Sequence, residues 1–403
     1  MKILLLAPHP FFQNRGTPIA VRALIEALTE EGHSVDLLTY HEGEDVPLPS
    51  GTLYRIPRLP WLGGIRPGFS LKKLACDAVM FFSALSLVRR NDYDLLHAVE
   101  ESVFLARIFR RLFGIPYVYD MDSSLAQQMI EKYSWLLALK RGLETVEAGV
   151  VRSSVGVVAV CRSLEQMVRG YDPDKRVLRL EDVSMLDRNS ESIALGDDSL
   201  GMSGPVIMYV GNLERYQGID LLLESFRVVQ EEGEAANLVI IGGTPDDILY
   251  YKERARKLAI EHRVFLLGPR PLDKLGIYLG QADILVSPRT QGVNTPMKIY
   301  SYLDSGKPLV ATRLLTHTQV LDEEISLLVE PHPAAMGRGL VRLLRDRSLA
   351  ASLAQTAKRR VSQEFTRDAY RRKLGAFYRE VEGEICIGAD RPAGHVDHSR
   401  RGL

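Results

Sequence analysis

Basic and small polar residues follow an apolar run in the segment Ser287-Pro-Arg-Thr-Gln-Gly-Val-Asn-Thr-Pro-Met-Lys298. The run before it, Ala282–Val286, is typical of a buried parallel strand. After the loop, Asn294 or Thr295 is predicted to cap a helix whose first residue is Pro296. Backbone N–H groups at such a strand–loop–helix junction bind anions. The segment therefore predicts a phosphate-binding loop built from Arg289, Gly292, Asn294, Thr295 and Lys298.

Length, net charge and cysteine number exclude several classes of protein. The chain has 403 residues, 46% of them apolar and 25% charged, and its net charge is zero. The length indicates two or more domains, and the charge balance argues against a nucleic-acid partner. Three scattered cysteines suit a reducing compartment and exclude a disulfide framework. The first residues, Met1–Pro8, predict a strand rather than a signal peptide, and no transmembrane span is expected. These features indicate a cytoplasmic protein.

Apolar runs of strand length alternate with helical patterns along the chain, as is typical of α/β folds with parallel sheets. In the first half the predicted strands are Ile3–Ala7, Ser34–Tyr40, Leu95–Ala98, Tyr117–Met121, Gly156–Val160 and Arg176–Leu180. In the second half they are Val206–Gly211, Leu238–Gly242, Val264–Leu267, Ile284–Val286, Leu309–Ala311 and Leu327–Val329. Helices are predicted at Pro18–Glu31, Ala334–Arg345, Leu349–Glu364 and Asp368–Glu382.

A polar stretch separates the two alternating halves. We predict Rossmann-like domains over residues 1–185 and 205–366, joined by a linker over 186–204. A helix is predicted over 367–386 and a disordered tail over 387–403. No G-x-G-x-x-G fingerprint, Walker motif, G-x-S-x-G elbow or H-E-x-x-H motif occurs. Dehydrogenase and kinase activities are therefore not expected.

An ordered series of short motifs carries a family resemblance. Gly16-Thr-Pro18 precedes an amphipathic helix, and Glu31-Gly-His-Ser-Val-Asp-Leu-Leu-Thr39 follows it. Further along come Tyr93-Asp-Leu-Leu-His97, Gly114-Ile-Pro-Tyr-Val118, Tyr209-Val-Gly-Asn-Leu213, Gly218-Ile-Asp-Leu-Leu222, Ala282–Pro288 and Ser305-Gly-Lys-Pro308. In this order, over roughly residues 1 to 385, they resemble the family-four glycosyltransferases.

The resemblance implies the GT-B fold: two Rossmann-like parallel-sheet domains that face each other across a cleft, with the C-terminal helix crossing back to the first domain. It implies that the first domain faces the acceptor and that the second holds a nucleotide-sugar donor, linked to UDP or GDP. Such enzymes retain anomeric configuration and use no metal, so neither a cofactor nor a metal is expected.

Several positions depart from the family pattern. The arginine and lysine that clamp the donor diphosphate correspond to Asn212 and Gln217, and the paired glutamates to Ser301 and a position near Val293. A desolvated diphosphate needs charge-assisted partners. We therefore expect Arg215, Arg289 and Lys298 to replace the missing clamp, although Arg289 and Lys298 could instead be solvated surface charges.

In the family, a histidine follows the strand that comes after the Gly-Ile-Pro motif. The corresponding residue here is Asp122, which is predicted to lie near the reacting hydroxyl of the acceptor. Gly16 is predicted to let the first loop approach the diphosphate. Two alternatives stay open for Asp122: it could cap a helix beginning near Ser123, or bind Mg²⁺ together with Asp120. The histidines His9, His97 and His317 could be packed side chains or ligands.

Basic and aromatic side chains are interleaved over Thr52–Arg90. Such a pattern suits a lipid-linked, phosphate-bearing acceptor and contact with the inner face of the membrane. The basic residues assigned to this role are Arg55, Arg58, Arg66, Lys72 and Lys73. The apolar side chains Leu74, Met80, Phe81 and Leu85 are instead expected on the core face of a helix.

These observations predict a retaining, hexosyl-type glycosyltransferase that acts on a glycan or lipid-linked acceptor in cell-surface polysaccharide or glycolipid synthesis. Two alternatives remain at this level. One is a nucleotide-sugar epimerase of related fold, and the other is a catalytically silent scaffold that binds a nucleotide or a glycan.

Overall fold

The computed structural model of the protein describes residues 1–13, 16–58, 63–64, 71–186 and 200–389. They form two compact units. Unit 1 comprises Met1–Ala159, Leu164–Leu180 and the chain from Arg371 onward, and unit 2 comprises Val160–Ser163 and Glu181–Tyr370. Arg66, the tail from residue 390 and most of the predicted linker, residues 187–199, lie outside the described residues.

Unit 1 is built on a parallel sheet with the strand order β3-β2-β1-β4-β5-β6-β7. Its strands are β1 Lys2–Ala7, β2 Ser34–Thr39, β3 Leu53–Arg55, β4 Leu95–Val99, β5 Tyr117–Met121, β6 Gly156–Ala159 and β7 Val177–Arg179. Its helices are α1 Gly16–Glu30, α2 Leu71–Arg90, α3 Ser102–Phe113, α4 Leu125–Lys132, α5 Lys140–Ser153 and α6 Arg162–Tyr171, whose first two residues belong to unit 2.

Unit 2 is built on a second parallel sheet, ordered β10-β9-β8-β11-β12-β13. Its strands are β8 Val206–Val210, β9 Asn237–Ile241, β10 Val264–Gly268, β11 Ile284–Ser287, β12 Leu309–Thr312 and β13 Leu327–Val329. Its helices are α7 Ile219–Glu231, α8 Pro245–Lys257, α9 Leu275–Gly280, α10 Lys298–Asp304, α11 Leu315–Thr318, α12 Pro333–Arg345 and α13 Arg347–Glu364. The last helix, α14 Arg367–Ala389, starts in unit 2 and continues in unit 1.

The predicted fold class is confirmed, because both units are parallel α/β sheets with buried, nearly continuous apolar strands. Each of the twelve predicted strands is present, with ends that differ by at most two residues. The three-residue strand β3, at the edge of the first sheet, was missed. Helix α14 extends to Ala389, beyond the predicted end at residue 386.

The C-terminal helix packs on unit 1 through a buried polar contact. The Tyr378 hydroxyl lies 2.5 Å from His97 Nδ1, and His97 Nε2 lies 3.1 Å from Asp120 Oδ2. His97 and Tyr378 are fully buried. A Cβ at position 156 would lie 2.6 Å from the ring of Phe377, so the glycine there lets the helix lie directly on β6. His97 is therefore a packed strand histidine.

The segment Val160–Ser163 follows β6 but belongs to unit 2. The Ser163 backbone N–H donates to Gln319 Oε1 at 2.7 Å, and the Ser163 hydroxyl donates to the carbonyl of Val293 at 3.3 Å. The predicted boundary at residue 185 had placed this segment in the first domain.

None of the helices in the described part of the chain is both long and apolar enough to cross a membrane.

Candidate functional site

The order of the strands points to the carboxyl edge of the second sheet. From β8 the chain continues to β9 and β10 on one side, whereas β11, β12 and β13 lie on the other. Ligands of open α/β sheets bind outside the carboxyl ends of the strands, at the point where the strand order reverses. In unit 2 that point lies between β8 and β11, which end at Val210 and Ser287.

Lys298 places its side-chain amine at this point. Its Nζ donates to Tyr209 Oη at 2.7 Å and to Gln217 Oε1 at 3.0 Å, and lies 4.0 Å from the centre of the Tyr209 ring. A Cβ at position 211 would lie 2.7 Å from Nζ, so Gly211 is what lets the amine reach the end of β8. The Lys298 side chain is half-buried. The structure thus brings Lys298 and Gln217 into contact, although they are 81 positions apart in the sequence.

The surroundings of Lys298 favour its neutral form. Burial lowers the pKa of Lys298 well below its ordinary value, and the positive charge of Arg289 lowers it further. An anion bound beside Nζ would act in the opposite direction and favour the ammonium form.

Arg289 lies in the loop after β11 and is 8% exposed. Its Nη1 donates to the carbonyl of Asn294 at 3.0 Å and to Thr316 Oγ1 at 3.1 Å, and its Nη2 donates to Asn294 Oδ1 at 3.2 Å. The guanidinium also lies 5.0 Å from the centre of the Tyr216 ring. At position 292 φ is +116°, which favours glycine, and a Cβ there would lie 2.7 Å from Nη2, so that a side chain would have to displace the guanidinium. Arg289 is therefore a built part of the loop and not a solvated surface charge.

A buried histidine holds the base of the same loop. His317 is fully buried, with Nε2 2.8 Å from Ser287 Oγ and Nδ1 2.8 Å from the Thr312 carbonyl. The Thr312 hydroxyl in turn donates to the carbonyl of Arg289 at 2.6 Å. Burial lowers the pKa of His317 to about 4, and Arg289 and Lys298 add to this effect. The neutral ring donates from Nδ1 and accepts from the serine, so His317 is structural.

The predicted start of the helix after this loop is wrong. Helix α10 begins at Lys298, with Met297 as N-cap and without a side-chain capping bond. Asn294 uses both of its oxygens on Arg289, and its carbonyl also accepts from the Thr316 hydroxyl at 2.6 Å. Thr295 cannot easily adopt a helical conformation because a proline follows it. The loop between β11 and α10 is therefore longer than expected. It contains Arg289 and ends at Lys298, the first residue of the helix.

The remaining predicted donor residues fall into two groups. Asn212 and Arg215 are exposed in the loop after β8, where the Asn212 carbonyl accepts from Tyr209 Oη at 2.6 Å. Ser301 is buried, and its hydroxyl accepts from the backbone N–H of Met185 at 2.9 Å. Tyr209 and Tyr216, which support the two cations, were not predicted. Tyr209 could have been found from the sequence, because it lies two residues before Gly211, the glycine that follows β8.

In unit 1, Asp122 lies just beyond the carboxyl end of β5 and is half-buried. Helix α4 begins at Leu125, and Ser124 is its N-cap, accepting from the backbone N–H of Gln127 at 3.2 Å. The alternative that Asp122 caps this helix is therefore wrong. Within the described ranges, no group of three or more His, Cys, Asp or Glu side chains is arranged to hold a metal ion.

Gly16 is the first residue of α1 and is exposed. A Cβ built there meets no atom within 4 Å, so the packing of the protein itself does not require glycine. The histidine at the end of β1, His9, is buried, and its Nδ1 lies 3.0 Å from the Pro10 carbonyl.

Two of the basic residues assigned to the acceptor have internal partners. Lys73 is buried on α2 and forms ion pairs with Glu101 and with Glu100, the latter at 3.7 Å. Arg55 Nη1 donates to the carbonyl of Glu42 at 2.9 Å, and its Nη2 donates to Asp45 at 2.8 Å. These contacts stabilise unit 1 and do not support a surface role for either residue.

Two further basic residues of this group lie at the surface. Arg58 and Lys72 are exposed, and Lys72 Nζ donates to the Gly63 carbonyl at 3.0 Å. On the same helix, Met80 is fully buried as expected, whereas Leu74 is 45% exposed and does not belong to the core face.

Comparison with known proteins agrees with this geometry. Residues 15–180 match the glycosyl transferase 4-like domain, and residues 204–346 match the glycosyl transferases group 1 family. The chain is 23% identical over 377 residues to an uncharacterized glycosyltransferase of Methanocaldococcus jannaschii, which covers 88% of this chain and 91% of that protein.

Solved structures share the fold. Sucrose-phosphate synthase from Thermosynechococcus elongatus matches with a TM-score of 0.78 and 19% identity, over 95% of this chain and 99% of that one. HepE of Anabaena, in complex with UDP-glucose, matches with a TM-score of 0.71 and 15% identity, over 94% of this chain and 100% of that one. The names of these relatives give no support to the epimerase alternative.

The lowered pKa of His317 predicts a pH-dependent stability difference. In the unfolded chain His317 should titrate near its ordinary value of 6.5, whereas in the folded protein its pKa is about 4. The stability that the neutral ring provides is therefore fully present above pH 6.5 and is lost as the pH falls toward 4, by about 3 kcal/mol in total. Glutamine at this position cannot titrate but can still donate and accept.

We expect His317→Gln to be less stable than the parent at pH 7.5 and the difference to shrink or reverse at pH 4.5. Thermal melts of both proteins over this range measure it. A difference that does not change with pH would mean that His317 is not neutral in the fold.

Proposed function

This chain belongs to the group 1 glycosyltransferases of the family-four type, and we propose from that premise that it is a retaining enzyme with a nucleotide-sugar donor. The donor would bind at the carboxyl edge of the second sheet. The acceptor would be a glycan or a lipid-linked, phosphate-bearing molecule, and the product would enter cell-surface polysaccharide or glycolipid synthesis.

The observation that carries the donor proposal is the pair of cations at the strand switch point of unit 2. Arg289 and Lys298 are held by neutral oxygens and tyrosine rings, and Arg289 lowers the pKa of Lys298. Two cations that destabilise each other are favourable where a dianion binds between them. A nucleotide-sugar diphosphate supplies two negative charges, and charge-assisted hydrogen bonds to it are the strong ones.

Lys298 also explains the departure at position 217. The family resemblance places the clamping lysine there, and this chain has glutamine. The Lys298 amine lies 3.0 Å from Gln217 Oε1, and therefore close to the place that the tip of the side chain at position 217 reaches. We propose that Lys298 performs the task of the family lysine.

A UDP-linked donor is preferred within this proposal, because HepE is described in complex with UDP-glucose. Another relative, from Corynebacterium diphtheriae, is named D-inositol 3-phosphate glycosyltransferase; it is 23% identical over 389 residues, which cover 90% of this chain and 89% of that protein. Its name supports a phosphate-bearing acceptor for this chain.

Catalysis would consist of positioning and of stabilising the diphosphate as it leaves. Asp122, at the carboxyl end of β5, would orient the acceptor hydroxyl. Gly16 would let the first turn of α1 approach the diphosphate; the space beside it is open. Asn212, Arg215, Gly292, Asn294, Thr295 and Ser301 would line the donor site.

The charge relocation predicts a reciprocal rescue. Lys298→Gln should weaken binding of the donor by about 1.5–3 kcal/mol, the range for a hydrogen bond to a charged group. Adding Gln217→Lys to this variant returns an amine to the same place and should restore most of the affinity. Titration calorimetry with UDP-glucose measures both variants against the parent.

Lys257→Gln is the matched control, since Lys257 is an exposed lysine at the end of α8. If both Lys298→Gln and the double variant bind the donor as the parent does, Lys298 has no part in the clamp. An Arg289→Ala variant should lose affinity to a similar extent.

We further propose that transfer needs no metal, because two basic side chains would face the diphosphate at the proposed donor site. Activity should therefore survive EDTA. Assays with and without the chelator decide the point. A complete loss that added Mg²⁺ reverses would favour the alternative in which Asp120 and Asp122 hold the ion.

Asp122→Asn keeps the size of the side chain and removes its charge. A carboxylate that orients or deprotonates the acceptor hydroxyl contributes about a hundred- to ten-thousand-fold to the rate. We expect the variant to melt with the parent and to bind donor normally while losing most transfer, measured as radiolabelled sugar moved to acceptor. Transfer at the parent rate would exclude a catalytic role for Asp122.

A further inference from the structure

A short turn on unit 1 presents large apolar side chains to solvent. The 3₁₀ helix Ser134–Leu139 connects α4 to α5. Trp135 is 68% exposed, Leu137 62% and Leu139 55%, whereas Leu136 between them is 6% exposed and anchors the turn. Ala138 is exposed as well. Contiguous exposed apolar residues are uncommon on soluble proteins and mark interaction sites.

Basic residues surround this turn in the sequence. Residues 131–144 contain three basic residues, Lys132, Lys140 and Arg141, and two acidic ones, Glu131 and Glu144, at the ends of this range. Lys140 and Arg141 are exposed directly after the turn, and Lys140 lies 3.7 Å from Glu144. A tryptophan and leucines beside lysine and arginine are the combination that suits the boundary between acyl chains and anionic headgroups.

We propose that the turn Trp135–Leu139 docks the protein on an anionic lipid surface. Trp135, Leu137 and Leu139 enter the interface, and Lys140 and Arg141 contact the phosphates of the headgroups. Lipid suits this turn better than a protein partner, because its few side chains offer far less than the roughly 800 Å² per partner that a stable protein interface buries.

This surface differs from the basic segment that the sequence suggested. There, Lys73 and Arg55 are occupied by internal partners. The chain also offers a contrasting apolar pair on α8 of unit 2, where Leu249 is 67% and Tyr250 53% exposed. That pair has Asp246 and Asp247 before it and Lys252 after it, so its flanking charge is mixed, and it serves as a control for exposed apolar area alone.

The first test uses intrinsic fluorescence. Trp61 and Trp135 are the two tryptophans of the chain, so Trp61→Phe leaves Trp135 as the only reporter. We expect its emission to shift to the blue, and to be quenched by brominated acyl chains, with vesicles that contain phosphatidylglycerol. Emission that does not change with these vesicles would overturn the proposal.

The second test is co-sedimentation of the full-length protein with vesicles of phosphatidylcholine alone or with phosphatidylglycerol added. Trp135→Ser combined with Leu137→Ser should lower partitioning onto the anionic vesicles at least tenfold, since each large apolar side chain contributes about that factor. Lys140→Gln with Arg141→Gln should lower partitioning onto the anionic vesicles by about fivefold for each charge removed, and should make partitioning less dependent on salt.

Leu249→Ser with Tyr250→Ser should leave vesicle binding unchanged. All these side chains are exposed, so melting temperatures should stay near that of the parent. Equal partitioning of the Trp135/Leu137 variant and the parent would refute the proposal. So would a sedimentation velocity result in which the same substitutions dissociate a dimer, since the turn would then contact a second copy of the chain.

Discussion

The Arg289 guanidinium and the Lys298 amine lie close enough to disfavour each other's positive charge, and the carboxyl edge of the second sheet is arranged around this pair. Arg289 and Lys298 would each be more stable in water, and each disfavours the charge of the other. The fold holds them with hydroxyl, amide and carbonyl oxygens and with the rings of Tyr209 and Tyr216. Such an arrangement is poor for stability and good for binding a dianion, because the ligand supplies the charge that the site lacks. The glycines at 211 and 292 follow from the same requirement, since any side chain there would displace a cation.

Much of the fold could be predicted from the sequence because the signals are local. Buried parallel strands are continuous apolar runs, and all twelve that the pattern indicated are present. Strand β3 was not predicted, because Leu53–Arg55 is only three residues long and is half-buried at the edge of the sheet. The start of α10 was misplaced because the signals at Asn294 and Pro296 are those of a helix start. Tertiary contacts override these signals, because both oxygens of Asn294 accept hydrogen bonds from Arg289 and so do not cap the helix.

The candidate site was only partly predictable for a different reason. Sequence reasoning could count charges near the strand ends, but it could not tell which of them point inward. Lys73 and Lys298 look alike in the sequence, yet Lys73 is paired with glutamates and Lys298 with neutral groups. The contact between Lys298 and Gln217 joins positions far apart in the chain, so no local pattern could reveal it. The exposure of Trp135 is likewise a property of how α4 and α5 are joined and not of the residues themselves.

In the donor site proposed above, the requirement is the position of a positive charge and not the residue that carries it. A diphosphate responds to the position and sign of a charge, and it is indifferent to which backbone carries the side chain. An amine that reaches the same place from α10 meets the electrostatic requirement, provided that the end of β8 leaves room for it, and Gly211 provides that room. A motif search that compares residues position by position would therefore record the site as lost. On the proposed assignment the Lys298 amine takes the place of the missing lysine, and a missing motif residue is then weak evidence against activity, because a neighbour in space can replace it.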